Sequence, residues 1–388
     1  MKKKIILIKS LCREYTYGVG SYINNIISGL HNKTDIEIYF FDVSQKNDIF
    51  SYKKSYNLTT VQIPFILSPK LMDEKGDSIN RRSCKLIAEI LTEKFHLRNS
   101  IIIINATHEY YLASALRKIC GSKIVFVFHT ATKENIFPFR LDFKEFISKI
   151  DHVVFPSKFC KQFICSNFSF VQTKSDIIYN GISLPILDDT IAKNNILSKY
   201  DISPNEKLIL FVGRIDFQKG IKYLLESFNL LINSIQNHNL RLVLVGDGDI
   251  GSFLQYCKGI YSHVTFTGYL PHNEVCELYQ ISDIGILPSL NENCSYTALE
   301  MMSYKLPVIA TDVGGFKEIF EHKKTGLLVP MKMENCKNIP SSDAIVECIN
   351  ELISNNELKQ IIINNAYSIL RRKYSSSAMA SRYIRFLE

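Results

Sequence analysis

The sequence predicts an α/β protein built from two Rossmann-like domains, each a parallel sheet covered by helices, facing each other across a cleft. Three observations carry that prediction. Apolar, β-rich runs alternate with amphipathic stretches through both halves of the chain, which is the pattern of parallel strands joined by crossover helices. The length of 388 residues is too great for one compact core and suits two domains of about 190 residues each. Between the halves, the turn pair Asn180-Gly181 is followed by a polar segment bracketed by Pro185 and Pro204, which marks a linker over 183–205. The N-terminal domain is therefore expected over 1–182 and the C-terminal domain over 206–374.

In the first half the strands are expected at Lys4 to Ile8, Glu37 to Asp42, Thr60 to Ile63, Ser100 to Asn105, Lys123 to His129, His152 to Pro156 and Asp176 to Tyr179. Helices fit between them at Ser21 to Leu30, Arg81 to Lys94 and Phe143 to Ile150. The second half repeats the arrangement, with strands at Leu208 to Gly213, Leu240 to Gly246, Val264 to Thr267, Ile284 to Pro288, Pro307 to Thr311 and Gly326 to Val329. A last helix is expected from about Ser375 to Glu388.

Composition excludes several classes. Apolar residues make up 46% and charged residues 22%, as in ordinary globular chains, so disordered and fibrous classes are excluded. The opening Met1-Lys2-Lys3-Lys4-Ile5-Ile6-Leu7-Ile8 stops at Lys9-Ser10 with no small-residue cleavage site, and reads as a buried first strand. No apolar stretch approaches the roughly 18 to 20 residues that span a bilayer, so the expectation is a cytosolic protein resting at most on a membrane. Ten cysteines without a CxxC pair give neither a zinc spacing nor a disulfide framework.

Charge is uneven. Residues 1–184 hold 26 Lys+Arg against 16 Asp+Glu, and the remainder 20 against 22. The basic half suits an anionic acceptor or peripheral contact with a membrane surface, while a scattered, solvated basic face fits the same counts; no nucleic-acid partner is expected.

The stretch Glu292-Asn293-Cys294-Ser295-Tyr296-Thr297-Ala298-Leu299-Glu300 follows a strand and runs into a helix, so its two glutamates stand at E-x7-E spacing, one on a loop and one a turn inside the helix. Phe211-Val212-Gly213-Arg214-Ile215-Asp216-Phe217-Gln218-Lys219-Gly220 also passes from strand to helix, which places Arg214 and Lys219 at the carboxyl edge of a parallel sheet beside a helix N-terminus. Both the cations and the helix end attract a phosphate there. Gly268-Tyr269-Leu270 closes another strand, and Gly246-Asp247-Gly248-Asp249 is a tight turn of a kind too common to argue from alone. In the first half, Thr16-Tyr17-Gly18-Val19-Gly20-Ser21 reads as a glycine loop with amides open to a phosphate, or as an ordinary strand-to-helix turn. His129 ends a strand before Thr130-Ala131-Thr132, and His108-Glu109 ends the preceding one. Phe137 to Phe146 mixes aromatics with basic residues and reads first as core.

The run from Pro288-Ser289 through both glutamates to Pro307-Val308-Ile309-Ala310-Thr311-Asp312-Val313-Gly314-Gly315 resembles the donor site of glycosyltransferase family 4, and Gly213-Arg214 with Lys219 looks like that family's G-R-x4-K motif. The resemblance covers nearly the whole chain and implies the GT-B fold, with the C-terminal helix crossing back to the first domain. It implies that Arg214 and Lys219 bind the diphosphate of a nucleotide sugar, that Glu292 approaches the sugar and that Glu300 holds the ribose hydroxyls. Gly18, Gly20, Gly213, Gly268, Tyr269, Leu270, Asn293, Cys294 and Ser295 complete the implied donor site, with His129 and His108 on the acceptor side. Asn293-Cys294-Ser295 departs from the Gly-Phe-Gly that often follows the first glutamate, which bears on donor identity.

The function implied is a retaining transferase moving a hexose-type sugar from UDP or GDP to an acceptor hydroxyl on a glycan or lipid carrier, in cell-surface glycan biosynthesis. No metal or other cofactor is expected, because no Asp-x-Asp stands at a comparable strand end. A nucleotide-sugar epimerase on the same plan, and a silent sugar-nucleotide binder suggested by Asn293-Cys294-Ser295, are the alternatives. Cys294 as a nucleophile has no histidine beside it in sequence to support it.

Overall fold

The computed structural model describes residues 2–10, 16–31, 33–44, 49–65, 74–129, 143–186, 193–234, 239–334 and 336–387. The chain divides into two compact units, one formed by Met1–Ser183 with Lys373–Glu388 and the other by Leu184–Arg372. Thr130-Ala131-Thr132 and most of the aromatic and basic run after Phe137 lie outside the described residues.

The first unit is built on an eight-stranded sheet. Its strands are β1 (Lys3–Ser10), β2 (Ile36–Val43), β3 (Ser51–Ser55), β4 (Leu58–Ile63), β5 (Ser100–Ile104), β6 (Lys123–Val127), β7 (His152–Phe155) and β8 (Ser175–Ile177), in the order β3-β4-β2-β1-β5-β6-β7-β8. All pairings are parallel except β3 with β4. The middle strands are buried on both faces, as Ile5 to Ile8 and all of β5 show, because helices cover both sides of a parallel sheet. The polar edge strand β3, with Lys53 and Lys54 exposed, escapes a reading based on apolar runs.

Gly18 and Gly20 correct one expectation. They lie in the first turns of the helix Thr16–Leu30 and not in a loop, and a Cβ on either would meet nothing within 4 Å. The buried stripe Tyr22, Ile23, Ile26 and Leu30 holds the helix against the core despite the low propensity of its glycines. The helix Ser376–Ile384 packs beside it so closely that a Cβ on Gly29 would stand 2.2 Å from the Ser376 carbonyl oxygen. Tyr22 and Tyr383 join the two helices hydroxyl to hydroxyl.

The second unit holds a six-stranded, wholly parallel sheet: β9 (Lys207–Val212), β10 (Leu240–Val245), β11 (Val264–Gly268), β12 (Ile284–Leu287), β13 (Val308–Thr311) and β14 (Leu327–Val329), ordered β11-β10-β9-β12-β13-β14. A polar hairpin, β15 (Met331–Glu334) with β16 (Lys337–Pro340), follows it. The helix Ile221–Ser234 buries Ile221, Leu224, Leu225, Phe228 and Leu231 against this sheet; each such side chain removed from water contributes about 1.5–3 kcal/mol. Part of the segment expected as linker is structured: the helix Lys193–Lys199 ends in Lys199, which pairs at 2.5 Å with Glu274 of the same unit. No described helix is long and apolar enough to cross a membrane.

Candidate functional site

Each sheet has one place where strand order reverses, between β9 and β12 in the second unit and between β1 and β5 in the first. Loops leaving the carboxyl ends of such strands diverge and open a crevice, where open α/β sheets take their ligands.

In the second unit the loop after β9 carries Gly213, Arg214 and Asp216. Asp216 caps the short turn Phe217–Lys219 by accepting from the Lys219 amide at 2.9 Å. Arg214 reaches out beside Asp216 at 3.0 Å and its side chain remains 67% exposed. Lys219 turns inward, and its ammonium meets the Glu292 carboxylate from the loop after β12 at 2.7 Å. These side chains are 25% and 16% exposed, so the pair bridges the switch point in a half-desolvated setting.

Glu292 is held from both sides. Leu290 donates to the Gln218 carbonyl at 2.8 Å, and the Gly315 amide donates to the Glu292 carbonyl at 2.8 Å. Buried Thr311 donates its hydroxyl to the Ser289 carbonyl at 2.5 Å. Two glycines make the approach possible. A Cβ on Gly220 would stand 2.0 Å from the Pro288 carbonyl oxygen, and one on Gly315 only 1.5 Å from that of Asn293. Gly220 also has φ +73°, in the left-handed region.

Ser295 caps the helix Tyr296–Ser303 by accepting from the Ala298 amide at 3.2 Å, and Cys294 is buried beside it. Glu300, half-buried inside that helix, accepts a 2.9 Å bond from the Tyr279 hydroxyl. Burial raises the Glu300 pKa, opposed by that bond and by His272. Gly268 ends β11 at φ +68°, and its carbonyl accepts from the Gly246 amide at 2.9 Å; Tyr269 beyond it is 61% exposed and Leu270 is half-buried. Gln218, Tyr279 and Gly315 do their work through contacts from other loops and helices; Gln218 and Gly315 fall inside the runs that carry the family resemblance, whereas nothing local in the sequence marks Tyr279.

In the first unit, Ser10 ends β1, Asn105 follows β5, and Glu109 closes a short turn beyond it. The Glu109 carboxylate, 1% exposed, accepts from the Ser10 amide and hydroxyl at 2.9 Å each and from the amides of Asn105 and Ala106 at 2.7 and 3.2 Å. Burial raises its pKa to about 7 against those four hydrogen bonds. His108 Nε2 lies 2.5 Å from the Ser10 hydroxyl, and His129 Nε2 2.9 Å from Asn105 Oδ1. The Tyr22 ring meets the His129 ring edge-on at 4.8 Å between centroids. Burial lowers both histidines to about 4, so both rings are neutral near pH 7. Among the described residues, no group of three or more His, Cys, Asp or Glu is placed to hold a metal ion.

Two family models match, "Glycosyltransferase Family 4" over residues 17–184 and "Glycosyl transferases group 1" over residues 192–369. An uncharacterized glycosyltransferase of Methanocaldococcus jannaschii is 32% identical over 238 residues, covering 60% of this chain and 58% of its own. The chain spans about half to three-fifths of the length of the curated relatives it matches first. Among solved structures, a glycosyltransferase from Rickettsia africae agrees with a TM-score of 0.74 at 19% identity, over 100% of this chain and 98% of that one. An Anabaena protein in complex with UDP and glucose agrees with a TM-score of 0.73 at 14% identity, over 99% of both chains. These likenesses show the fold, two Rossmann-like units of the GT-B class, and the two family models, which between them match residues 17–184 and 192–369, show that the chain belongs to glycosyltransferase family 4.

Proposed function

We propose that the protein is a retaining, metal-independent glycosyltransferase that moves a hexose-type sugar from a nucleoside diphosphate to an acceptor hydroxyl. The observation that carries this reading is the Lys219–Glu292 pair, 2.7 Å apart, bridging the strand-order reversal between β9 and β12 beside exposed Arg214. A cation pair facing a carboxylate suits a donor with an anionic diphosphate at one end and a hydroxyl-rich sugar at the other.

In the reaction, the bond from the anomeric carbon to the diphosphate oxygen breaks and the bond to the acceptor oxygen forms on the same face. The acceptor proton passes to the departing phosphate oxygen. Negative charge accumulates on the leaving group, where Lys219 and, more weakly through its exposed guanidinium, Arg214 stabilise it; a well-placed, desolvated donor of this kind is worth about 10²–10³ in rate. Glu292 positions the donor sugar with Asn293, Cys294 and Ser295 behind it. Glu300, one of whose carboxyl oxygens is held by Tyr279, takes the ribose hydroxyls, and Gly268-Tyr269-Leu270 with Gly213 line the nucleotide. In the first unit His129 and His108 position the acceptor, and Gly18 and Gly20, in the first turns of the helix Thr16–Leu30, are assigned to donor binding.

The test is a thermal-shift panel of UDP, GDP, ADP and their sugars, with and without EDTA. UDP-glucose is the first probe, because the Anabaena relative in fold was solved with it. A selective rise with one donor that survives EDTA supports the reading. No rise with any nucleotide overturns it, and a rise abolished by EDTA overturns the metal independence alone.

A further inference from the structure

We propose that Glu109 is a positioning residue, which through Ser10 fixes His108 as its Nε2–H tautomer and through the backbone of Asn105 aims that side chain at His129. Ser10 has one hydroxyl proton and gives it to Glu109 Oε1 at 2.9 Å, so the contact of that hydroxyl with His108 Nε2 at 2.5 Å needs the proton on the imidazole. Asn105 Nδ2 donates to the Ile8 carbonyl at 3.3 Å, which turns Oδ1, an acceptor only, toward His129 Nε2 at 2.9 Å. Both neutral imidazoles therefore carry their proton on Nε2, and in both Nδ1 is the basic nitrogen.

Glu109 suits this role better than any neutral side chain. Each of its oxygens receives two donors, Oε1 from Ser10 and Oε2 from the amides of Asn105 and Ala106. A glutamine amide turned either way would set an NH2 against two N–H or O–H donors. The carboxylate ties the end of β1 to the turn after β5 across the strand-order reversal, and both histidines hang from the groups it ties. The bearing of this arrangement on transfer rests on the acceptor-side reading of this unit; the tautomers are read without it.

The experiment is 15N NMR of the full-length protein labelled at its nine histidines, with His108 and His129 assigned by substitution. At pH 8.5, where Glu109 is ionised, wild type should show both as Nε2–H, and either ring found as Nδ1–H overturns the proposal. Ser10→Ala leaves the amide bonds to Glu109 in place and removes only the relay, so the Nε2–H to Nδ1–H ratio of His108 should fall about fivefold while His129 holds, the change expected from one ordinary hydrogen bond. Glu109→Gln should disturb both rings. An unchanged His108 ratio in Ser10→Ala overturns the relay, whatever the donor panel shows. UDP release from UDP-glucose is then compared for wild type and Ser10→Ala: a kcat loss at unchanged KM supports a role in the reaction, and equal rates overturn that role.

Discussion

The two units place their candidate residues at the same topological position and fill it with opposite chemistry. Between β9 and β12 stands an ion pair of half-exposed side chains, with a further cation reaching into solvent. Between β1 and β5 stands a buried carboxylate wrapped in four hydrogen bonds, with two neutral imidazoles attached through Ser10 and Asn105. A half-desolvated ion pair with an exposed cation beside it suits a charged ligand that brings its own counter-charge and leaves again. Fixed, neutral hydrogen-bonding groups suit an uncharged hydroxyl whose orientation matters more than its electrostatic capture. The difference is what the proposed function requires, diphosphate chemistry in the second unit and hydroxyl chemistry in the first.

The largest break in that comparison should come from Lys219. Replacing it with Ala removes the cation that the leaving group needs and strands Glu292, so donor turnover should drop about 10²–10³-fold. Thermal stability should change far less than turnover, because the pair is partly solvated and neither side chain fills a core position. Steady-state kinetics beside differential scanning calorimetry decides the matter, and parallel losses of activity and stability would sink the assignment. Glu292→Ala should behave in the same way.

Acidification should separate the units next. His108 and His129 should stay neutral to about pH 4, whereas His272 of the second unit, raised by its hydrogen bond with Cys276, should protonate above the ordinary histidine range. For the two lowered histidines the unfolded chain takes up protons first, so their contribution is complete above pH 6.5 and is lost as pH falls toward 4, at about 1.4 kcal/mol per unit for each fully shifted group. His108 is 4% exposed and should show nearly all of this; half-buried His129 should show less. Glu109, raised to about 7, opposes them: its folded form binds the proton first, so it stabilises as pH falls from 7 toward 4.5. An imidazole NMR titration checks the order, and protonation of His108 near pH 6.5 would mean that its ring is open to solvent.

Gly315 tests how rigidly the charged site is held. Its φ of −69° suits any residue, so Gly315→Ala acts only through the Cβ that would stand 1.5 Å from the Asn293 carbonyl oxygen. Relief requires moving the Glu292 loop, at about 1–3 kcal/mol of stability and on the order of tenfold in turnover. Unchanged melting and turnover would show that the loop yields without carrying Glu292 with it.

What the sequence discloses about each site follows from how local that site is. Arg214, Lys219, Glu292 and Glu300 are legible because strand-to-loop-to-helix order alone sets them at a sheet edge. The apolar neighbours Ala298, Leu299, Met301 and Met302 already point to a buried setting for Glu300, but the Tyr279 hydroxyl that supplies its bond comes from another helix and leaves no local trace. Ser10 reads merely as the polar end of a strand, and its bonds to Glu109 span 99 residues, a distance at which periodicity says nothing. Gly18 and Gly20 mislead in the other direction. Glycine is the usual residue of a loop, yet four buried apolar positions downstream outweigh two low-propensity ones.

The smallest effect should belong to Arg214, and its size sharpens the contrast between attraction and catalysis within the second unit. Its guanidinium is 67% exposed and already shares Asp216 at 3.0 Å, so part of its charge is spoken for before a ligand arrives. Nucleotide binding through such a group is screened by water and salt. Arg214→Ala should weaken UDP binding about tenfold at low ionic strength and less at physiological salt, as an exposed charge-assisted bond does. Melting temperature should be unchanged. Isothermal titration with UDP at two salt concentrations distinguishes this from a role equal to that of Lys219: a loss that persists undiminished at high salt would place Arg214 in the desolvated part of the site, and make the cation pair a single catalytic unit.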